Sequence, residues 1–163
     1  MEIFETVPPF NARTHRQAAT YADTLELDHQ RIRRVWGVEP IPLDEVKDAR
    51  KAAATDLRWQ KETGGIVIGG VPVATDDRSK TLILGKRAQA QSNPAASFRW
   101  KAASGEWVDL TGAQIIAIAD AVADHVQACF DREGELHDLI DAAGPDAADV
   151  LAVDISAGWP GEH

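Results

Sequence analysis

The stretch LTGAQIIAIADAVADHVQACFDREGELHDLIDAA, residues 110–143, decides the fold of this chain. A set of mostly apolar residues in this stretch, which we call the apolar stripe, recurs at intervals of three and four. This spacing places side chains on one face of an α-helix. They are Ile115, Ile118, Val122, His125, Val126, Cys129, Phe130, Leu136, Leu139 and Ile140. Thr111 and Gln114 have the spacing of a capping box, with Leu110 placed as a hydrophobic staple. One long helix is therefore predicted, with a possible kink at Gly134, up to the stop at Gly144-Pro145.

Two β-hairpins are predicted before this helix. The runs 66–68 and 71–73 are rich in β-branched residues, and Gly69-Gly70 between them is the two-residue loop that primed turns prefer. Pro72 has no N–H for a central ladder, so this hairpin is expected at a sheet edge or alone. Residues 97–110 form the second hairpin, with Ser104-Gly105 as its turn. A two-residue loop there would place three aromatic rings on one face: Phe98, Trp100 and Trp107.

Shorter helices surround the first hairpin. Asp44 is a candidate N-cap for a helix that extends to Glu62, and Gly64-Gly65 ends it. Thr75-Asp76-Asp77 offers a cap to a helix over residues 79–91, which explains the two carboxylates without a catalytic role. A further short helix is predicted within 146–154.

The N-terminal residues have a weaker pattern. Segments 20–27 and 31–39 flank the polar Asp28-His29-Gln30, which favours a hairpin with a three-residue loop. A helix over 14–35 is the alternative. Pro40-Ile41-Pro42 then acts as a stiff connector.

These elements predict an α+β fold with three parts. Residues 1–43 form an extended N-terminal arm or small β-hairpin module. Residues 44–154 form a helix–hairpin–helix–hairpin–long helix domain, and residues 155–163 form a C-terminal tail.

Composition excludes several classes of function. The formal net charge is −9 and the isoelectric point is near 4.9, so the electrostatic field has the wrong sign for binding nucleic acid. No apolar run approaches the length needed to cross a bilayer, and the first 30 residues lack a signal peptide. The single cysteine, Cys129, cannot form an intramolecular disulfide. A soluble protein made in the cytoplasm is expected, with no nucleic-acid or membrane partner.

A search for catalytic motifs predicts no catalytic residues, no cofactor and no metal. The chain lacks a phosphate loop, a Gly-x-Ser-x-Gly elbow and a His-Glu-x-x-His helix. His125 and Cys129, four residues apart, have the geometry of two metal ligands or an imidazole-activated thiolate, with Asp124, Glu133 and His137 nearby. Both lie in the apolar stripe, however, which favours core packing.

Tryptophan provides the candidate interface residues, because the chain has five tryptophans and one tyrosine. Trp36 and Trp159 are the candidates for contact with another protein. Trp159 lies in the tail, and the alternative is that it packs on its own domain.

Several segments within residues 44–143 support a resemblance to a known family. They are the hairpin that leads into Val73–Ser79, the segments Phe98–Lys101 and Val108–Thr111, and the long helix with His125–Cys129. The whole region resembles the domain of unknown function numbered 4376, found in phages and prophages among tail and tail-fibre genes. Thr14-His15-Arg16 and Val35–Val38 are similar to the front end of small phage tail proteins.

This resemblance implies no catalytic residues. It implies a structural component of a bacteriophage or prophage tail or tail fibre, made in the host cytoplasm and incorporated in the virion. The alternative is a tail-fibre assembly chaperone that is absent from the mature virion. The expected partners are other tail or fibre proteins and further copies of the chain, with a trimer favoured because phage fibres are commonly threefold.

Overall fold

A computed structural model describes residues 2–102 and 105–161. These residues form an α+β fold, and the predicted order of helix, hairpin, helix, hairpin and long helix is confirmed. The elements are β1 Glu2–Thr6, β2 His15–Glu26, β3 Arg31–Pro40, α1 Leu43–Thr63, β4 Ile66–Ile68, β5 Val71–Val73, α2 Asp77–Ser92, β6 Ser97–Lys101, β7 Trp107–Thr111, α3 Gly112–Ala142 and α4 Ala147–Ala152.

The chain divides into two compact units. The sheet unit runs up to Arg50 and includes Ile140–Val153; the helical unit comprises Lys51–Leu139 and the residues from Asp154 onwards. The three-part organisation expected from the sequence, 1–43, 44–154 and 155–163, stays a prediction.

The sheet unit is built on a three-stranded sheet of order β1-β3-β2, in which β1 is parallel and β2 antiparallel to β3. The N-terminal hairpin is therefore confirmed, and the alternative helix over 14–35 is wrong. Glu26 pairs with Arg31, so the loop has four residues rather than the three expected. Leu27–His29 form a 3-10 turn, and Gln30 closes it with a left-handed φ of 49°. Leu27 is 74% exposed in this turn.

The buried hydrophobic residues of the sheet unit lie mostly outside its strands. They include Val46 in α1, Ile140 in α3 and Val150 in α4. Among the described strand residues of this sheet, Ala18 alone is buried. A Cβ at Gly37 would lie 3.2 Å from the Ala18 Cβ, so the strands approach closely at this point, within the irregular register between Gln17 and Tyr21.

The first hairpin of the helical unit matches its prediction. Ile66 pairs with Val73 and Ile68 with Val71, and the strands form a separate two-stranded sheet. Gly69 and Gly70 have φ values of 56° and 82°, the left-handed conformations that this type of turn requires.

The second hairpin has a different register from the one expected. Lys101 pairs with Trp107 and Trp100 with Val108, so residues 102–106 separate the strands instead of two residues. Odd and even loop lengths place the second strand's side chains on opposite faces. Trp107 therefore does not share a face with Phe98 and Trp100, and it is 61% exposed. Of the predicted turn, Gly105 has a φ of 89° and Ser104 lies outside the described residues.

The long helix begins with the predicted capping box. The Thr111 backbone N–H donates to Gln114 Oε1 at 2.8 Å, and the Gln114 N–H donates to Thr111 Oγ1 at 3.3 Å. The helix continues through Gly134. The buried face of α3 is narrower than the apolar stripe predicted from the sequence, because Phe130 and Leu139 are half exposed. Fully or nearly fully buried α3 residues of the helical unit are Ile115, Ala119, Val122, Cys129 and Leu136.

The predicted caps of α1 and α2 differ in outcome. Asp76 caps α2 as predicted, since its Oδ1 accepts the Ser79 N–H at 3.1 Å. Hydrogen bonds from the Ser79 hydroxyl and backbone hold the pKa of Asp76 below its usual value. The predicted cap at Asp44 is wrong: α1 already begins at Leu43, which places Asp44 inside the first turn. There its charge still meets the positive end of the helix dipole.

Across residues 2–102 and 105–161, every helix is too short or too polar to cross a membrane.

Candidate protein interface

One face of the three-stranded sheet carries three successive rows of side chains, which we call the tryptophan face. Paired residues of a sheet project to the same side, so the strand register defines the rows. The first row is apolar, the second is charged and the third is aromatic. They are Ile3–Ile32–Leu25, Glu5–Arg34–Asp23 and Trp36–Tyr21.

Arg34 organises the centre of the tryptophan face. Its Nε and Nη2 each donate to one oxygen of Asp23 at 3.0 Å, and its Nη1 lies 3.3 Å from Glu5. The hydrogen bond to Asp23 and the charge of that carboxylate raise the pKa of Arg34 above its usual value, and the same bond lowers the pKa of Asp23. The guanidinium carbon lies 3.9 Å from the Tyr21 ring centroid. A bidentate pair of this kind fixes geometry as well as charge.

The apolar side chains around this ion pair remain accessible. Ile3, Tyr21 and Leu25 are each about half exposed (48%, 49% and 53%). Trp36 is half buried, and its ring makes an edge contact with Tyr21 at a centroid distance of 4.9 Å. Half-exposed apolar and aromatic side chains on both sides of a fixed charged row give this face the mixed composition of a protein interaction surface.

Trp159, the other candidate interface residue, packs within its own chain. It is 2% exposed, and its indole N–H donates to the Ile155 carbonyl at 2.9 Å. Arg132 of α3 holds the same segment through bonds to the Ala157 carbonyl at 3.0 and 3.3 Å. A Cβ at Gly158, which has a φ of 81°, would lie 3.1 Å from that guanidinium. Of the two alternatives for Trp159, the structure therefore has the tail docked on its own unit.

His125 and Cys129 lie together, and both are held by packing. His125 Nε2 is 3.2 Å from the Lys61 carbonyl, which can only accept, so this nitrogen carries the hydrogen and has no lone pair for a metal. Cys129 is fully buried, and burial together with the negative charge of Glu62 raises the pKa of its thiol. A raised pKa disfavours the reactive thiolate.

Glu133 and His137 lie close to each other, but they do not form a hydrogen bond. His137 Nε2 is buried 3.8 Å from Glu133 Oε1 and has no hydrogen-bond partner among the described residues, while Glu133 is held by Thr55 and Arg58. Within the described residues, no three His, Cys, Asp or Glu side chains are arranged to hold a metal ion.

Sequence reasoning missed a cluster of buried charges in the helical unit, formed by Arg58, Glu62, Lys80 and Glu133. Glu62 is 4% exposed and is bound by both Arg58 and Lys80. Arg58 also pairs with Glu133 at 2.8 Å, and its guanidinium carbon lies 4.4 Å from the Phe130 ring centroid. The cluster links α1, α2 and α3 through mutually neutralised charges.

The surroundings of Glu62 complete this cluster. Thr75, fully buried, donates its hydroxyl to the Glu62 carbonyl at 2.6 Å and accepts the Gly65 N–H at 2.9 Å. Burial disfavours the charged form of Lys80, but its bonds to Glu62 and Asp77 outweigh that cost and raise its pKa. The visible signal in the sequence is the i,i+4 spacing of Arg58 and Glu62, which more commonly marks a weak surface pair.

A family model described as "Domain of unknown function (DUF4376)" matches residues 45–157. The chain belongs to this family. The match begins after β3, so all three strands of the N-terminal sheet lie outside it. Comparison with curated proteins and with solved structures found no match.

Proposed function

We propose that this chain is a non-catalytic structural component of a bacteriophage or prophage tail or tail fibre, attached to a neighbouring tail protein through its tryptophan face. The observation that carries the attachment is the half-exposed row of apolar and aromatic side chains around the Arg34 ion pairs. The tail setting comes from the resemblance to domains encoded among tail and tail-fibre genes.

The arrangement of polar groups supports a non-catalytic role. The charges of the helical unit that are most buried neutralise each other, and the imidazole and thiol of His125 and Cys129 are occupied or shielded. Catalytic groups need access to a substrate and a pKa matched to their task. The half-exposed apolar and aromatic side chains of the tryptophan face offer a surface for another protein instead.

The position of the sheet outside the family match supports its use for attachment. The matched region contains the helices and the two later hairpins, including residues 45–50 and 140–153 of the sheet unit, while the three strands of the sheet lie outside it. Apolar rows that flank a fixed ion pair suit a partner with an apolar surface and a complementary rim. Under this proposal the chain works as an oligomer within the tail, with a trimer favoured.

Mass spectrometry of purified virions tests the tail assignment. We expect the chain in mature particles at a stoichiometry comparable to other tail proteins. Absence from mature particles, together with co-purification with unassembled fibres, would assign it as an assembly chaperone instead. Absence from both would overturn the tail assignment.

Two neighbouring substitutions on one strand test the tryptophan face. Leu25→Asp places a charge on that face, and Thr24→Asp is its matched control because Thr24 is also exposed but projects from the opposite face. We expect incorporation to fall about tenfold or more for Leu25→Asp, since burying an unpaired carboxylate against an apolar partner surface is costly, and to stay near wild type for Thr24→Asp. Equal incorporation of both variants would contradict the assignment of this face.

A further inference from the structure

The outer edge of β2 is open to another strand. The sheet order places β2 at one edge of the sheet, and ten of its twelve residues are exposed. Among the described residues, no hydrogen bond joins the backbone of 16–26 to a part of the chain outside β2 and β3. Half of the N–H and C=O groups of an antiparallel edge strand point away from its sheet, where an extended chain can pair with them. β2 also contains neither proline nor lysine, the residues that often block such an edge.

The two ends of β2 carry ion clusters of opposite net charge. The cluster at the start of the strand contains one arginine with two glutamates, each 3.0 Å away, and has one excess negative charge. The cluster at the end contains one glutamate with two arginines, 2.7 and 3.9 Å away, and has one excess positive charge. The members are Arg16, Glu39 and Glu45 at the start and Glu26, Arg31 and Arg33 at the end. Two β2 strands that run side by side in opposite directions would therefore bring opposite charges together at both ends.

One antiparallel register of two β2 strands satisfies the backbone and the charges together. It is centred on Tyr21, and it places Arg16 of each copy opposite Glu26 of the other. Opposed residues then have numbers that are both odd or both even, so backbone groups that point away from β3 in one copy meet groups that point away from β3 in the other. Residues 18–20, where the pairing of β2 with β3 is irregular, fall opposite 22–24. The regular segments on either side would form the contact.

We propose that two copies of the chain pair through the outer edges of β2, antiparallel about a twofold axis at Tyr21. The two three-stranded sheets would form one six-stranded sheet, and an isologous contact of this kind closes as a dimer. The axis is perpendicular to the sheet, so both tryptophan faces lie on the same side. The aromatic pairs Trp36–Tyr21 of the two copies would meet in one continuous row.

This contact goes beyond the proposed attachment to a tail protein. It uses the edge of the sheet and leaves the tryptophan faces of both copies open to other partners. It also predicts a dimer in solution, whereas the comparison with threefold fibres favours a trimer. Dimerisation and incorporation into virions are measured separately, so either proposal can fail without the other.

Analytical ultracentrifugation of the full chain, from micromolar to millimolar concentration, tests the proposal. We expect a monomer–dimer equilibrium. We also expect the dissociation constant to rise about tenfold or more from low to high salt, because salt screens exposed charges. A chain that stays monomeric, or that forms trimers without dimers, would overturn the proposal. A dimer that is indifferent to salt would show that the charged ends of β2 do not meet, which also overturns it.

Charge exchange at the ends of β2 tests which clusters meet. Glu39→Lys makes both clusters of a chain positive and Arg33→Glu makes both negative, so each variant alone should dimerise about tenfold or more weakly than wild type. Arg78→Glu is the control, because it changes the charge equally at an exposed residue of α2, and it should match wild type. An equimolar mixture of Glu39→Lys and Arg33→Glu should form a one-to-one dimer, which variants that fail to fold could not do. Variants that dimerise like the control, or a mixture that stays monomeric, would contradict the proposal.

Cysteine cross-linking tests the register. In the proposed dimer, Tyr21 lies opposite its own copy, at the Cα separation of about 4.5–5.5 Å that a disulfide can bridge. Tyr21→Cys should therefore cross-link with itself under mild oxidation, while the fully buried Cys129 does not compete. Leu25→Cys is the matched control: it should cross-link in a mixture with Gln17→Cys, which it faces, but not alone. If Tyr21→Cys stayed uncross-linked, or if Leu25→Cys alone cross-linked as readily, the proposed pairing would be wrong.

Discussion

The strands of the three-stranded sheet and the helices of the helical unit bury side chains to very different extents. Within the described strands of the three-stranded sheet, one alanine is buried. The helical unit buries Cys129 and Leu136 completely and shields the Glu62 carboxylate as well. Cross-strand pairs stabilise a sheet by only about 0.2–1 kcal/mol each. The helical unit therefore has a packed core of its own, whereas the strands of the sheet leave most of their side chains accessible to solvent.

Removing the buried carboxylate of Glu62 should have the largest effect on the free energy of unfolding. Glu62→Ala leaves Arg58 and Lys80 without their shared carboxylate, and breaking a buried ion pair in this way costs about 3–5 kcal/mol. Urea denaturation measures the loss. Glu135→Ala is the control, because that side chain is 66% exposed in its pair with Arg132 and should change stability by less than about 0.5 kcal/mol. If Glu62→Ala and Glu135→Ala lowered the free energy of unfolding by similar amounts, burial would not explain the contribution of Glu62.

Truncation of the helical core should have the next largest effect. Leu136 is fully buried, so Leu136→Ala removes apolar contacts and leaves a cavity, at a cost of about 2–5 kcal/mol. Leu139→Ala, three residues away and 51% exposed, is the matched control and should cost far less. Chemical denaturation of the pair measures the difference. If the two costs were equal, the buried face assigned to α3 would be wrong.

The sheet should respond weakly to a comparable truncation. Tyr21→Ser removes the edge contact with Trp36, which is worth about 0.5–1.5 kcal/mol for an aromatic pair. Hydrogen exchange resolves the units separately: amides of β2 should exchange faster than those of α3 in wild type, and Tyr21→Ser should accelerate β2 without affecting α3. If the amides of β2 were as well protected from exchange as those of α3, the expected difference in stability between the sheet and the helical unit would be wrong.

The smallest effect is a pH dependence at the start of α2. Hydrogen bonds from Ser79 hold the pKa of Asp76 below the usual value of about 3.9. Its carboxylate therefore stabilises the folded chain above that value, and the stabilisation is lost as the pH falls through the lowered pKa. Asp76→Asn keeps an oxygen acceptor for the cap but does not titrate. Thermal melting measured at a series of acid pH values should show that the melting temperature of Asp76→Asn falls less steeply with pH than that of wild type. If the two chains lost stability in parallel, Asp76 would not have this role.

Local signals predicted much of the fold. The Thr111–Gln114 capping box, the Gly69-Gly70 turn and the Asp76 cap each involve residues within three positions of one another, so the sequence contains all the partners. The register of the second hairpin depends on the conformation of a five-residue connection, which composition does not specify. That difference moved Trp107 to the opposite face.

The candidate sites depended more on contacts distant in sequence. The sequence indicates Trp36 only by its residue type, whereas the face on which it lies is defined by strand pairing with residues distant from it in the chain. Glu62 meets Lys80 across 18 positions and Arg58 meets Glu133 across 75, so neither helix pattern alone predicts a buried cluster. Burial of Trp159 likewise required the approach of Arg132 to the tail.

The shielded thiol of Cys129 gives the chain a practical property for labelling. It is the only cysteine in the sequence, it is fully buried, and its raised pKa slows alkylation under native conditions. A cysteine introduced on the sheet, for example at Thr24, would therefore react first with a spin label or fluorophore. Distances between labelled copies could then be measured in chains that keep their native core, and reaction of Cys129 itself would report each opening of the helical unit.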